Sequence, residues 1–182
     1  MSVGRPPAGP VTSRLVLRPA AAADYRRLAA GDRAGLAASL GFAVPEDFPV
    51  AAEAVPWFAE TLAADPALEG WLVFWALRRC DGVLIGDAGF FGRPDAEGRV
   101  ELGYAVLSAH RRRGYASEMV AALTALAFSR PGVRSLAART AVDNPASQAV
   151  LRRLGWHAGP PFASDEGMLI PWRSDKPGEG RA

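Results

Sequence analysis

The hydrophobic period of this chain changes from two to about 3.6 across a six-residue junction, and that change constrains the fold most. Arg99 to Leu107 reads as a strand, whereas Met119, Val120, Leu123, Leu126, Ala127 and Phe128 recur at helical spacing until Pro131-Gly132 stops them. Between them stands Arg111-Arg112-Arg113-Gly114-Tyr115-Ala116, followed by Ser117. A helix start presents unpaired backbone N–H groups and the positive end of the helix dipole, so it can hold a phosphate without a dedicated side chain. Gly114 and Ala116 leave room for close approach, and the three arginines supply neutralising charge. Taken alone, the same six residues also suit a solvated basic turn. A second strand-to-helix junction with polar caps follows some thirty residues later. The rival phosphate motifs, G-x-x-x-x-G-K-[ST] and a G-x-G-x-x-G after a strand, do not occur.

Other elements extend this pattern in both directions. Arg14 to Arg18 reads as a short strand stopped by Pro19, and Ala22–Ala30 and Val50–Ala64 carry helical signals around Tyr25, Leu28, Trp57, Phe58 and Leu62. Residues 31–49, with three glycines and two prolines, suit a loop or short broken helices. Trp71–Arg78, Val83–Phe91 and Arg99–Leu107, separated by turns at Cys80-Asp81-Gly82 and Pro94–Gly98, form a meander. Ser135–Ala141 is a strand. Asp143-Asn144-Pro145 opens a helix with Val150, Leu151 and Leu154 on its apolar face, ended by Gly155, and Trp156–Ala163 and Met168–Trp172 close the domain. The expected order is β-α-α-β-β-β-α-β-α-β-β, an α/β (α+β) mixed sheet with helices against it. One domain over residues 13–172 is expected, between disordered segments 1–12 and 173–182.

Composition narrows the functions. A chain of 182 residues fits one domain, its net charge of +2 is too small to support nucleic-acid binding by itself, and no apolar run reaches the length of a membrane span. With no apolar signal segment near Met1, a cytoplasmic location is expected. One cysteine, Cys80, and two histidines, His110 and His157, give no metal-ligand spacing, so no metal is expected.

Arg111 to Ala116 fits the pattern [Q/R]-x-x-G-x-[G/A], the pyrophosphate signature of the GNAT superfamily of N-acetyltransferases. Glu101-Leu-Gly-Tyr-Ala-Val before it and Asp143-Asn-Pro-Ala-Ser-Gln-Ala-Val-Leu-Arg-Arg-Leu-Gly-Trp after it resemble the RimJ/RimL-type branch, with its E-x-G-Y strand and N-x-x-S…L-G-[FW] helix. Thr12–Pro19 resembles the opening strand of that branch. The likeness spans residues 12–172 and is weakest over 31–70, where a substrate would be read. It implies a mostly antiparallel central sheet of about seven strands flanked by about four helices. It also implies acetyl-CoA as co-substrate and direct acetyl transfer to a primary amine, either a protein N-terminus or a small molecule, and it is compatible with a homodimer.

The same resemblance implies a bulge in the fourth strand where it splays from the fifth. Pantetheine would lie in the opening against the backbone of Val106 and Leu107, and a backbone N–H there would polarise the thioester. The phosphates would fall to Arg111, Arg112, Arg113, Gly114, Tyr115, Ala116 and Ser117, with Asn144 bonding the pantetheine arm as well as capping its helix. Glu101, on the strand leading to the site, is the candidate base, acting directly or through water, with Glu166 in reserve; alternation alone leaves its face open. Ser147 is the candidate proton donor to the departing thiolate, a task some relatives give to tyrosine. Cys80, in a turn without a nearby histidine, is a poor nucleophile. The competing reading is a non-catalytic acyl-CoA-binding or regulatory module.

Overall fold

A computed structural model describes residues 9–178. Eight strands and five α-helices follow one another as β1 (Leu15–Pro19), α1 (Ala22–Ala29), α2 (Arg33–Leu40), α3 (Val55–Ala64), β2 (Val73–Arg78), β3 (Val83–Phe90), β4 (Arg99–Val106), α4 (Tyr115–Ser129), β5 (Ser135–Ala141), α5 (Pro145–Arg153), β6 (His157–Ala158), β7 (Phe162–Ser164) and β8 (Gly167–Asp175). The sheet runs β1-β2-β3-β4-β5-β8-β6, with β7 on β8. Among the described residues only β4 and β5 pair in parallel; the other pairs are antiparallel.

Two apolar layers hold the sheet. On one face α4 and α5 pack Tyr115, Met119, Leu123 and Leu151 against Phe74, Ile85, Ala88, Phe90, Leu102 and Val106. On the other face Tyr25, Leu36, Phe48, Val55 and Leu62 cover Val73, Trp75, Leu77 and Leu84. Full burial of side chains this large contributes about 1.5–3 kcal/mol each, so both layers are needed to fix the sheet. Sequence periodicity locates most of these elements within two residues. The short helix α2 falls in the stretch expected to be irregular, closed by Gly41 in the left-handed conformation. The expected single strand Trp156–Ala163 is broken into β6 and β7 around Gly159-Pro160-Pro161, where proline cannot donate to a ladder.

Three expectations need correction. The C-terminal boundary moves outward: β8 continues to Asp175, opposite Ser135, because the first residues of the supposed tail pair with β5. At the N-terminus residues 1–8 lie outside the described residues, but 9–12 are held: Leu17 N–H donates to Pro10 O at 2.8 Å, and Thr12 Oγ1 donates to Glu118 Oε1 at 2.5 Å. The bulge is also elsewhere. The β3–β4 register is continuous from Gly86↔Val106 to Phe90↔Leu102, and the shift lies between β2 and β3 at Ala76/Leu77, where one extra residue reverses which β3 side chains face each layer.

Glu118, in the first turn of α4, accepts from Thr12 Oγ1, from Arg14 N–H at 3.0 Å and from Arg14 Nε at 2.6 Å. Burial opposes its ionisation, but these donors outweigh it and hold the carboxyl below its usual range. A depressed carboxyl adds stability above its unfolded pKa that is lost as pH falls through the folded value. Glu118→Gln should therefore lower stability by about 1–3 kcal/mol at neutral pH and flatten the acid side of the stability curve. Thermal unfolding from pH 3 to 7 measures both, and an unaltered pH dependence would count against this brace.

Candidate active site

Strand β5 runs on to Ala141 and β4 to Val106, yet their pairing ends at Glu101↔Ala137. Beyond that point the strands part. Along β4 the odd-numbered residues bond to β3, as Glu101 O from Phe91 N–H and Leu107 N–H to Ile85 O, both at 2.9 Å. The backbone groups of Tyr104 and Val106 therefore face the opening. Val106 O accepts from Arg111 Nε at 2.9 Å, which leaves the Val106 N–H directed into the gap as a donor for a carbonyl oxygen.

The opening belongs to a cleft of about 860 Å3 walled by Tyr104, Ala105 and Val106 on one side and by Asn144, Ser147, Val150 and Arg153 on the other. Its floor is the Arg111–Ser117 turn. Arg112 (φ 59°) and Gly114 (φ 80°) both take left-handed conformations there, which turns the chain sharply into α4. The first helical bond is Glu118 N–H to Gly114 O at 3.2 Å, so the N–H groups of Tyr115, Ala116 and Ser117 precede it and face the cleft as anion donors. Arg14 secures this turn from β1, donating through Nη1 to Arg113 O at 2.9 Å and lying 4.6 Å from the Tyr115 ring centroid.

Val106, Arg111, Arg112, Gly114, Tyr115, Ala116, Ser117, Asn144 and Ser147 thus line one cleft. Arg113 does not line it; its carbonyl is held by Arg14. Nor does Leu107, whose side chain is buried in the second apolar layer and whose N–H is used by Ile85. Asn144 Oδ1 accepts from Ser147 N–H at 3.0 Å, so its cap and its place in the cleft are compatible. Glu101 is on the other face of the sheet, where its Oε1 accepts from Arg139 Nε at 2.6 Å beside a separate hollow lined by Phe91 and Phe162. Glu166 is close enough to Arg139 to stabilise its charge. Cys80 is exposed and does not line the cleft.

Tyr104 is the tyrosine of the E-x-G-Y motif, but the motif assigned it no role. Its hydroxyl lies 2.6 Å from Ser147 Oγ and 3.2 Å from Ser147 O, bridging the two walls of the cleft. Burial raises its pKa, with the Ser147 bond working the other way, so the phenol keeps its proton at neutral pH. Tyr104 shares the parity of Leu102 and Val106, a signal readable once the face of β4 is known. His110 also lines the cleft, with Nδ1 3.2 Å from Arg78 Nη1; burial and the Arg78 charge depress its pKa and favour the neutral ring. Among the described residues no helix is long and apolar enough to cross a membrane.

A splayed parallel pair above an arginine-rich helix start is an arrangement suited to an extended molecule that bears a pyrophosphate. Residues 14–157 match the family model described as the acetyltransferase (GNAT) domain, and the chain belongs to that family. It is 36% identical over 104 residues to the uncharacterized N-acetyltransferase YjdG of Bacillus subtilis, and 34% identical over 83 residues to YoaA, an uncharacterized N-acetyltransferase of the same organism. Those matches cover 57% and 45% of this chain but span 62% and 47% of the relatives' own lengths. The fold is similar to that of RimL, a ribosomal L7/L12 alpha-N-protein acetyltransferase solved with coenzyme A, at TM-score 0.66 and 20% identity, covering 92% of this chain and 97% of that one. An acetyltransferase from Agrobacterium tumefaciens gives TM-score 0.62 and 23% identity over 96% of this chain and 98% of its own.

Proposed function

We propose that the protein is an acetyl-CoA-dependent N-acetyltransferase that moves an acetyl group directly to a primary amine, a protein N-terminus or a small molecule. The observation that carries this reading is the cleft, in which a backbone donor of β4, a two-hydroxyl pair shared by β4 and α5, and the anion cradle at the start of α4 come together. The residues fit the co-substrate. Arg111, Arg112, Gly114, Tyr115, Ala116 and Ser117 would hold its pyrophosphate, Asn144 and the free β4 edge its arm, and the Val106 N–H the thioester oxygen. The Tyr104–Ser147 pair would return a proton to the thiol. Glu101, Arg139 and Glu166 cluster by the hollow lined by Phe91 and Phe162, where they are suited to polar groups of the acceptor. A cytoplasmic setting, with its supply of acetyl-CoA, and a homodimer fit this reading.

Direct transfer predicts two results. Free thiol should appear from acetyl-CoA on adding members of a panel of peptides with free N-termini and small primary amines. Without any amine, intact mass after acid quenching should show no stoichiometric acetyl adduct, and Cys80→Ala should retain most turnover. No thiol release across the panel would favour the non-catalytic acyl-CoA-binding alternative; an adduct on Cys80 discharged by amine would replace direct transfer with a ping-pong route.

A further inference from the structure

Asp87 lies at the centre of β3, in register with Ala105 of β4 and Trp75 of β2. One register step away, Gly86 faces Val106, whose N–H points into the opening. Asp87 thus stands one register step from Val106, whereas Glu101 is five residues back from Val106 along β4, about 17 Å along an extended strand. The Asp87 side chain projects on the face away from α4, beside the aromatic group Tyr25, Phe48, Phe58 and Trp75, in which Tyr25 stacks on Phe58 at 5.0 Å and meets Trp75 edge-on at 5.5 Å.

Among the described residues the Asp87 carboxylate makes no hydrogen bond and no ion pair. Those residues contain only two side-chain polar atoms that are both sealed from solvent and unpartnered, Thr124 Oγ1 and Arg130 Nη1. Asp87 is neither of them, so its unpaired oxygens reach open space from a half-buried position. A half-buried carboxylate that nothing in the chain neutralises is unfavourable unless a cation from outside completes it. Aromatic faces beside it add to the attraction for an ammonium group.

We propose that Asp87 is the carboxylate that receives the acceptor's ammonium group and removes its proton. This deepens the acetyl-transfer reading above and rests on it. Asp87 takes one N–H proton, directly or through a water; the nitrogen lone pair then forms the new C–N bond at the thioester carbon as the C–S bond breaks. The second proton, on the acylated nitrogen, leaves to solvent water; the Tyr104–Ser147 pair protonates the departing sulfur and recovers a proton from solvent, and Asp87 returns its own proton to solvent, so that one proton is released overall. Burial supports the role by pushing the Asp87 carboxyl up to about 6, near the value an acceptor of protons needs at neutral pH. The groups facing it are few. From α1 comes the Tyr25 phenol, itself pushed up by burial and therefore neutral; Arg18 of β1 and Asp24 of α1 pair with each other at 2.8 Å; β2 and β4 present Trp75 and Ala105 at its register.

The wild type should show kcat/KM for an amine it acetylates rising with pH through about 6, as the carboxyl ionises. Asp87→Asn, nearly isosteric, should lose roughly 10²-fold in kcat/KM, lose that acidic limb, and keep acetyl-CoA affinity by calorimetry within about twofold. Glu101→Gln should lose at least about tenfold less than Asp87→Asn and keep the limb. A wild-type profile without an acidic limb, near-normal turnover by Asp87→Asn, or loss of acetyl-CoA binding or of folding in that variant would each overturn the assignment, the last by making Asp87 structural. A wild type that turns over no amine would instead fail the acetyl-transfer reading, and this assignment with it.

Discussion

Tyr104→Phe should lower kcat about 10²–10³-fold while acetyl-CoA affinity changes by less than about twofold. The hydroxyl lies 2.6 Å from Ser147 Oγ, and burial keeps it protonated, so it is a ready source of the proton that a thiolate leaving group requires. Phenylalanine preserves the ring's packing and deletes only the donor. Ser147→Ala removes the other member of the pair and should cost a similar factor. Because the two hydroxyls act as one chain, the double variant should be little worse than the poorer single one. Steady-state kinetics with saturating acetyl-CoA, and calorimetry for its binding, supply both readouts. Near-normal kcat in both single variants would show that water protonates the sulfur.

Gly114→Val should weaken acetyl-CoA binding at least tenfold, about 1.4 kcal/mol, and by more if the turn rearranges. Gly114 has φ 80°, a conformation that a β-branched residue adopts only with strain. A Cβ there would stand 3.4 Å from Arg14 Nη2, so the new side chain also presses on the arginine that secures the turn. Gly114→Ala separates the causes: it carries part of the backbone strain with little of the bulk, and should lose less affinity. Calorimetry together with thermal unfolding distinguishes a lost site from a lost fold. Unchanged affinity in a folded valine variant would place the phosphates elsewhere.

The basic turn that opens α4 was legible because its determinants are local. A period change, a left-handed glycine and small residues at a helix start are written in consecutive positions, and the Asn144 cap likewise depends on its neighbours three residues on. Arg113 illustrates the limit of such reading. It belongs to the same basic run as Arg111 and Arg112, yet its carbonyl is tied to Arg14, 99 residues away in sequence, and the cleft is lined without it.

Face and register were the hidden variables. Glu101 and Tyr104 belong to one short motif, E-x-G-Y, but the three-residue offset places them on opposite faces of β4, with Tyr104 toward Ser147 and Glu101 toward Arg139. Asp87 carried no motif at all. Its place depends on the β2–β3 shift at Ala76/Leu77 and on pairing with Ala105, contacts that no local pattern encodes.

By itself the sequence determined most of the order of elements, the basic turn that opens α4 and the family of the fold, because backbone propensity, capping and hydrophobic period act over a few neighbouring residues. Only the tertiary structure decided where β4 and β5 part, that Asp87 stands in register with Ala105 of β4, and which hydroxyls meet across the cleft. Those outcomes depend on strand register and on side chains brought together from distant parts of the chain, where a shift of one residue exchanges the two faces of the sheet.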